Sequence, residues 1–168
     1  MSLKFTNSQE FLNKLQLQIN LMIALPMLVL IYFFLRIENG TYLPEILPEE
    51  TIFFLRIGAI FLVIVLVVLG FVSFRRGIDT LNPEMHLRDK LELYFSASIT
   101  RSALFEAATI ISLAGLILSG EQIYVGYYTI CLVAFSITYP TLPRINQQLR
   151  LKKKEREIIL SRSPIEET

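Results

Sequence analysis

The sequence predicts an all-α, polytopic membrane protein: four transmembrane helices with cytoplasmic amphipathic helical extensions. Three observations predict it. The 168 residues are 53% hydrophobic, with a mean hydropathy of +0.52, more apolar than an ordinary soluble domain. The apolar residues gather into four blocks of the length that crosses a hydrocarbon core, for which ~17 to 25 residues suffice. The lysines and arginines fall between and beyond those blocks, almost all on one side of the membrane they would span.

Residues 1–14 form a mixed polar segment in which Ser8, Phe11, Leu12 and Leu15 make an amphipathic turn ahead of the membrane. A secretory signal peptide is the alternative; against it, the apolar region runs to Leu35 and no small-residue cleavage site follows. The transmembrane domain covers 15–139, and its first span is 15–35. Gln16, Gln18 and Asn20 line the start of this span, and Pro26 in its interior predicts a packing kink of the kind membrane helices tolerate.

The following loop sets Glu38, Glu45, Glu49 and Glu50 against one Arg36, with Pro44 and Pro48 as punctuation and a glycosylation sequon at Asn39-Gly40-Thr41. The second span is 52–74, and its Ile60–Leu69 stretch is nearly all branched aliphatic, which predicts lipid contact. Arg56 lies one turn inside the outer end. It either snorkels to headgroups or forms an outer-face ion pair with Glu49 or Glu50.

Residues 75–101 are the longest hydrophilic connection. Arg75 and Arg76 end the second span, with Gly77 as its expected cap. Asn82-Pro83-Glu84 reads as a helix start, and Leu87, Leu91, Tyr94 and Phe95 recur at helical spacing opposite Arg88, Asp89 and Glu92. This amphipathic helix either lies on the cytoplasmic surface or runs straight into the third span. His86 reads as a solvated surface residue.

The third span, 102–118, contains one ionisable residue, Glu106. At ~100° per residue, Ser98, Ser102, Glu106, Thr109, Ser112, Gly115 and Ser119 occupy about half the circumference, and Leu104, Ile110, Ile111, Ala114, Ile117 and Leu118 the other half. The first half suits packing on other helices and the second suits lipid. An ionised carboxylate in hydrocarbon costs several kcal/mol, so such acids face protein or water. The candidate intramembrane polar site is therefore Glu106 with Arg101, Ser102, Thr109 and Arg144. A structural Glu106 is protonated, paired with Arg144, or hydrogen-bonded to Gln16 or Asn20. The other reading is a proton or cation site, disfavoured because Glu106 sits a turn or two from the cytoplasmic surface and no second acid lies at bilayer depth.

Ser119-Gly120-Glu121-Gln122 makes a tight outer turn into the fourth span, 123–139, where Tyr124, Tyr127, Tyr128 and Tyr139 are expected to anchor at the interfaces. The tail, 140–168, begins with Pro140 and Pro143, which break the chain at the membrane surface. Thr141 can cap a new helix with Leu142, Ile145, Leu149 and Ile159 along one side. Lys152, Lys153, Lys154 and Arg156 are expected to contact anionic lipid, at ~1 kcal/mol per basic residue, or to act as a stop signal that fixes orientation. Residues 163–168 are expected to be disordered.

With both termini cytoplasmic, all sixteen Lys and Arg residues except Arg36 and Arg56 stay inside, fourteen in total. The positive-inside rule favours that orientation.

The absences narrow the chemistry. One cysteine, Cys131, excludes a disulfide-forming enzyme that works through cysteine pairs, and one histidine, His86, excludes a histidine-rich metal site. Asp79 and Asp89 lack the spacing of lipid phosphotransferases. The seven glycines are too few for a rotary-ring proteolipid, and the first span lacks the acid of small multidrug exporters. No cofactor and no nucleic-acid partner is expected.

The stretch RSALFEAATIISLAGLILSG, followed after the fourth span by YPTLPR, resembles small uncharacterised four-helix membrane proteins of bacteria across roughly the second half of the chain. The resemblance implies no function and no site. The functional expectation is a non-catalytic bacterial inner-membrane protein, an accessory or assembly subunit or a self-associating bundle. Its partners are lipid, further copies or other membrane subunits. The alternative is an oligomeric proton- or cation-coupled carrier or channel using Glu106.

Overall fold

The computed structural model describes residues 5–44, 47–82, 84–149, 151–161 and 165. Six helices follow in order: α1 (Ser8–Glu38), α2 (Glu49–Asp79), α3 (Leu87–Ser119), α4 (Ile123–Thr138), α5 (Leu142–Gln148) and α6 (Lys153–Ser161). α1, α2 and α3 are long and apolar enough to cross a membrane. α4 joins them as a fourth if it is counted with α5 as one span bent by 76°. Several such helices mark a membrane-embedded protein.

Each helix begins or ends for a local reason. Asn7 caps α1, its Oδ1 accepting the Glu10 N–H at 2.8 Å. Glu10 in turn accepts from the Thr6 N–H and from Lys14 Nζ, at 2.8 and 2.7 Å, and these donors hold its carboxyl down at about 2. α1 runs unbroken through Pro26, which is buried. α2 ends at Asp79, two residues past Gly77, so Gly77 is not its cap. Its use is steric: a Cβ there would lie 3.0 Å from that of Ala97, and the missing side chain lets α3 approach.

The hydrophilic helix and the third span are one continuous α3 of 33 residues, about 50 Å long. It starts at Leu87, later than expected. Asn82 Oδ1 instead accepts the Glu84 N–H in a local turn. Gly120, at φ +70°, takes the left-handed cap and turns the chain into α4. Pro83, Glu45, Arg150 and, Ile165 apart, the expected disordered end at 163–168 fall outside the described residues.

The long helices alternate in direction. Gly70 and Gly77 of α2 meet Phe105 and Ala97 of α3, and Gly115 of α3 meets Tyr124 of α4. The half of α3 read as small and polar is the half it buries: Ser98, Ser102, Thr109, Ser112 and Gly115 are all enclosed. Its opposite arc, with Ile110 and Leu118, is exposed.

Two apolar clusters result. The far one holds Val63, Ala108, Leu116, Tyr124, Tyr128 and Cys131 at the α2–α3–α4 contact. The near one gathers Phe11, Leu15, Tyr94, Phe95, Ile145 and Ile159 from the two ends of the chain and the start of α3. Tyr124 and Tyr128 are therefore core residues, 0% and 2% exposed, rather than interfacial anchors, and Gly115 opposite Tyr124 leaves room for its ring inside the bundle.

Candidate functional site

The densest polar constellation lies where α4 stops. A helix leaves its last carbonyls without intrahelical donors, and Pro140 can supply no N–H. Here every carbonyl from Ser136 to Pro140 finds a donor. Thr138 Oγ1 donates back to Ala134 at 2.8 Å, and the Tyr139 N–H donates to Ser136 at 3.4 Å. Arg144 Nη1 donates to Ile137 and, at 3.1 Å, to Tyr139. Arg101 Nη2 reaches Thr138 at 3.0 Å, and Gln16 Nε2 reaches Pro140 at 3.0 Å. Side chains of α1, α3 and α5 thus close the end of α4, and the two guanidiniums sit where a helix dipole favours positive charge.

Arg101 is almost wholly enclosed, 3% exposed, with its guanidinium 4.0 Å from the centre of the Phe74 ring on α2. Its Nε and the Ser98 hydroxyl have no hydrogen-bond partner among the described residues.

This arrangement corrects the expected site. Arg144 and Gln16 are spent on the α4 terminus, so neither meets Glu106, and Asn20 is exposed on α1. Glu106 is half-buried, and its carboxylate has no hydrogen bond or ion pair among the described residues. The reason lies in the wheel: Glu106 occupies one edge of the buried arc of α3. Ser102 and Thr109 lie ~40° and ~60° to one side and the exposed Ala103 and Ile110 lie ~60° and ~40° to the other. Thr109 serves the backbone, its Oγ1 donating to the Glu106 carbonyl at 2.7 Å. Ser112 likewise donates to the Ala108 carbonyl at 3.0 Å. Ser102 is buried beside them. Glu106, Arg101, Ser102, Thr109 and Arg144 do not converge on one point.

The outer-face pair is also reassigned. Arg56 grips Glu121, with Nε 2.6 Å from Oε2 and a second hydrogen bond from Nη2 to Oε1. Glu49 and Glu50 share a groove with this pair but are exposed one to two turns back on the same helix. The α3–α4 turn instead brings Glu121 across to Arg56. Two more ties close that end: Gln122 Nε2 to Glu38 Oε1 at 2.5 Å and the Tyr42 hydroxyl to the Ile117 carbonyl at 3.1 Å. Arg56 holds the Glu121 carboxyl below the ordinary carboxylate range.

At the opposite end stands an ion pair absent from the sequence expectation. Lys90, 2% exposed, donates from Nζ to Glu155 Oε1 of α6 at 2.7 Å. Lys90 also lines a cavity of about 230 Å³ with Asp79, Asn82 and Gln148. The signal was present on the helical wheel, where Lys90 falls within ~40° of Tyr94, Ala97 and Arg101, on the buried side of α3. The chain ends join nearby, through Ser8 Oγ to the Ile159 carbonyl at 2.8 Å and the Ile165 N–H to the Thr6 carbonyl at 2.9 Å. Lys152, Lys153, Lys154 and Arg156 are all exposed, as a lipid-facing role requires.

Among the described residues, no group of three or more His, Cys, Asp or Glu side chains could hold a metal ion. Comparison with protein-family models, with curated proteins and with solved structures finds no match to the chain.

Proposed function

We propose that the chain is a four-span inner-membrane protein with both termini cytoplasmic. It serves as a non-catalytic accessory or scaffolding unit, alone or with further subunits. The observation that carries this is the closed end of α4: Arg101, Arg144 and Gln16 each donate to a carbonyl between Ile137 and Pro140. Polar groups spent this way hold four helices in one arrangement, which is what a structural subunit requires. The small-residue side of α3 packs on its own chain, so a partner helix would meet the apolar outer faces of α1 and α2, where Leu17, Leu21, Leu28, Phe54 and Phe61 are exposed.

A second reading is kept by one fact. Glu106 has no partner among the described residues, and an acid at the margin of the packed face is what a proton- or cation-coupled carrier would display. Purification in mild detergent, followed by flux measurements in liposomes, separates the two. The accessory reading expects a defined complex that survives Glu106→Gln and no ion-dependent flux. Flux in the native chain that Glu106→Gln abolishes would transfer the function to the carrier.

A further inference from the structure

α6 is short, and its two sides are unlike. Ile159 is 1% exposed and packs into the near cluster, and Glu155 is held at both oxygens, Oε1 by Lys90 Nζ and Oε2 by the Lys152 N–H, each at 2.7 Å. Lys153, Lys154 and Arg156 face outward, with Lys152 exposed just before the helix. The run from 152 to 157 is Lys-Lys-Lys-Glu-Arg-Glu, four cations against two acids. Lys90 offsets one of those acids from inside the protein, so the outward face keeps four cations against Glu157 alone. The chain also turns at Pro140: α5 leaves α4 at 76° and carries the tail across the end of the spans instead of away from them.

We infer that the outward face of 152–156 docks on anionic phospholipid headgroups, and that Lys90, distant in sequence, makes this face selective by neutralising Glu155 within it. The inference rests on the membrane-embedded reading above. The occupant follows from charge complementarity and place: a cluster of fixed positive charge beside the apolar spans meets headgroups before it meets anything else. Each basic residue near an anionic surface strengthens the association about five-fold, and salt screens the effect. A Glu155 carboxylate left without Lys90 would cancel one such charge.

The test uses the full chain reconstituted in phosphatidylcholine bilayers containing spin-labelled phosphatidylglycerol, with relative association measured by electron spin resonance. The native chain is expected to prefer phosphatidylglycerol at least ten-fold, less so at high salt. K152Q/K153Q/K154Q/R156Q, which alters only exposed side chains, is expected to lose the preference. Lys90→Met is expected to weaken it about five-fold, and Lys90→Met with Glu155→Met to restore it, which lost packing alone would not do. Preference unchanged in the quadruple variant overturns the docking face, and preference unchanged in Lys90→Met, or no rescue in the double variant, overturns the neutralising role of Lys90. A native chain that inserts but shows no preference overturns this inference alone. A chain that fails to co-float with liposomes overturns the membrane reading beneath it.

Discussion

Lys90 carries a charge on a side chain that solvent scarcely reaches, and Glu155 is its carboxylate partner across two helices. Removing one member of an enclosed ion pair costs far more than removing both. Glu155→Gln is therefore expected to destabilise the chain by about 3 kcal/mol, and Lys90→Met with Glu155→Leu by under about 1 kcal/mol, read from unfolding in detergent. Gly70 makes a second, steric demand. A Cβ there would stand 2.6 Å from Phe105 Cε1, and that ring is enclosed between Phe71 and Phe135. Gly70→Val is expected to cost about 1 to 3 kcal/mol by the same assay, whereas Gly58→Ala, which faces open space, should be neutral.

Among the elements, α3 and α4 hold the bundle together in different ways. α3 outruns a bilayer core of ~30 Å by a wide margin, so its first turns project beyond the lipid. In a Cys131→Ser background, cysteines placed at Asp89 and Glu92 are expected to react with a membrane-impermeant maleimide, and cysteines at Ile110 and Ala114 to stay unlabelled. α4 is the short partner, and Arg101 fastens its terminus to α2 and α3. Arg101→Ala removes the Thr138 donor and the layer over Phe74 together, an expected loss of about 2 to 3 kcal/mol in detergent unfolding. The far turn depends on acidity. Glu121 has its carboxyl lowered by Arg56, so the pair stabilises the fold above the ordinary carboxylate range and loses that contribution as pH falls through the lowered value. The melting temperature is expected to drop as pH goes from ~5 toward ~3, with a shallower drop in Glu121→Gln.

For the whole molecule, much of the plan was legible and the cross-helix partners were not. The long apolar helices, the Gly120 turn and the buried half of α3 follow from patterns within one segment, which a sequence displays. Continuity through Thr100 was left open by the sequence, since an amphipathic helix on the surface and one entering the bilayer carry the same pattern. Proximity in sequence offers Arg56 the headgroups or Glu49 and Glu50, and its partner lies 65 residues on. Charge makes Arg144 one possible partner of Glu106 beside Gln16 and Asn20, yet Arg144 donates instead to the carbonyls freed where Pro140 ends the helix. Both misses have one cause: a wheel shows which side is polar, but not which neighbour that side will face. Among the described residues, every Lys and Arg except Arg36 and Arg56 sits at the end where Thr6 and Ile165 meet, so cysteines at Glu84 and Asn39 should label from opposite sides of sealed vesicles, Glu84 from the cytoplasmic one.

The hydrogen bond from the Ile165 N–H to the Thr6 carbonyl places the first and last parts of the chain side by side. The order in which the helices are written is then one of several that the same packing could accept. A circular permutant that links Ile165 to Thr6 and opens between α1 and α2 is expected to keep the helix–helix contacts described, with its new ends at the opposite end of the bundle.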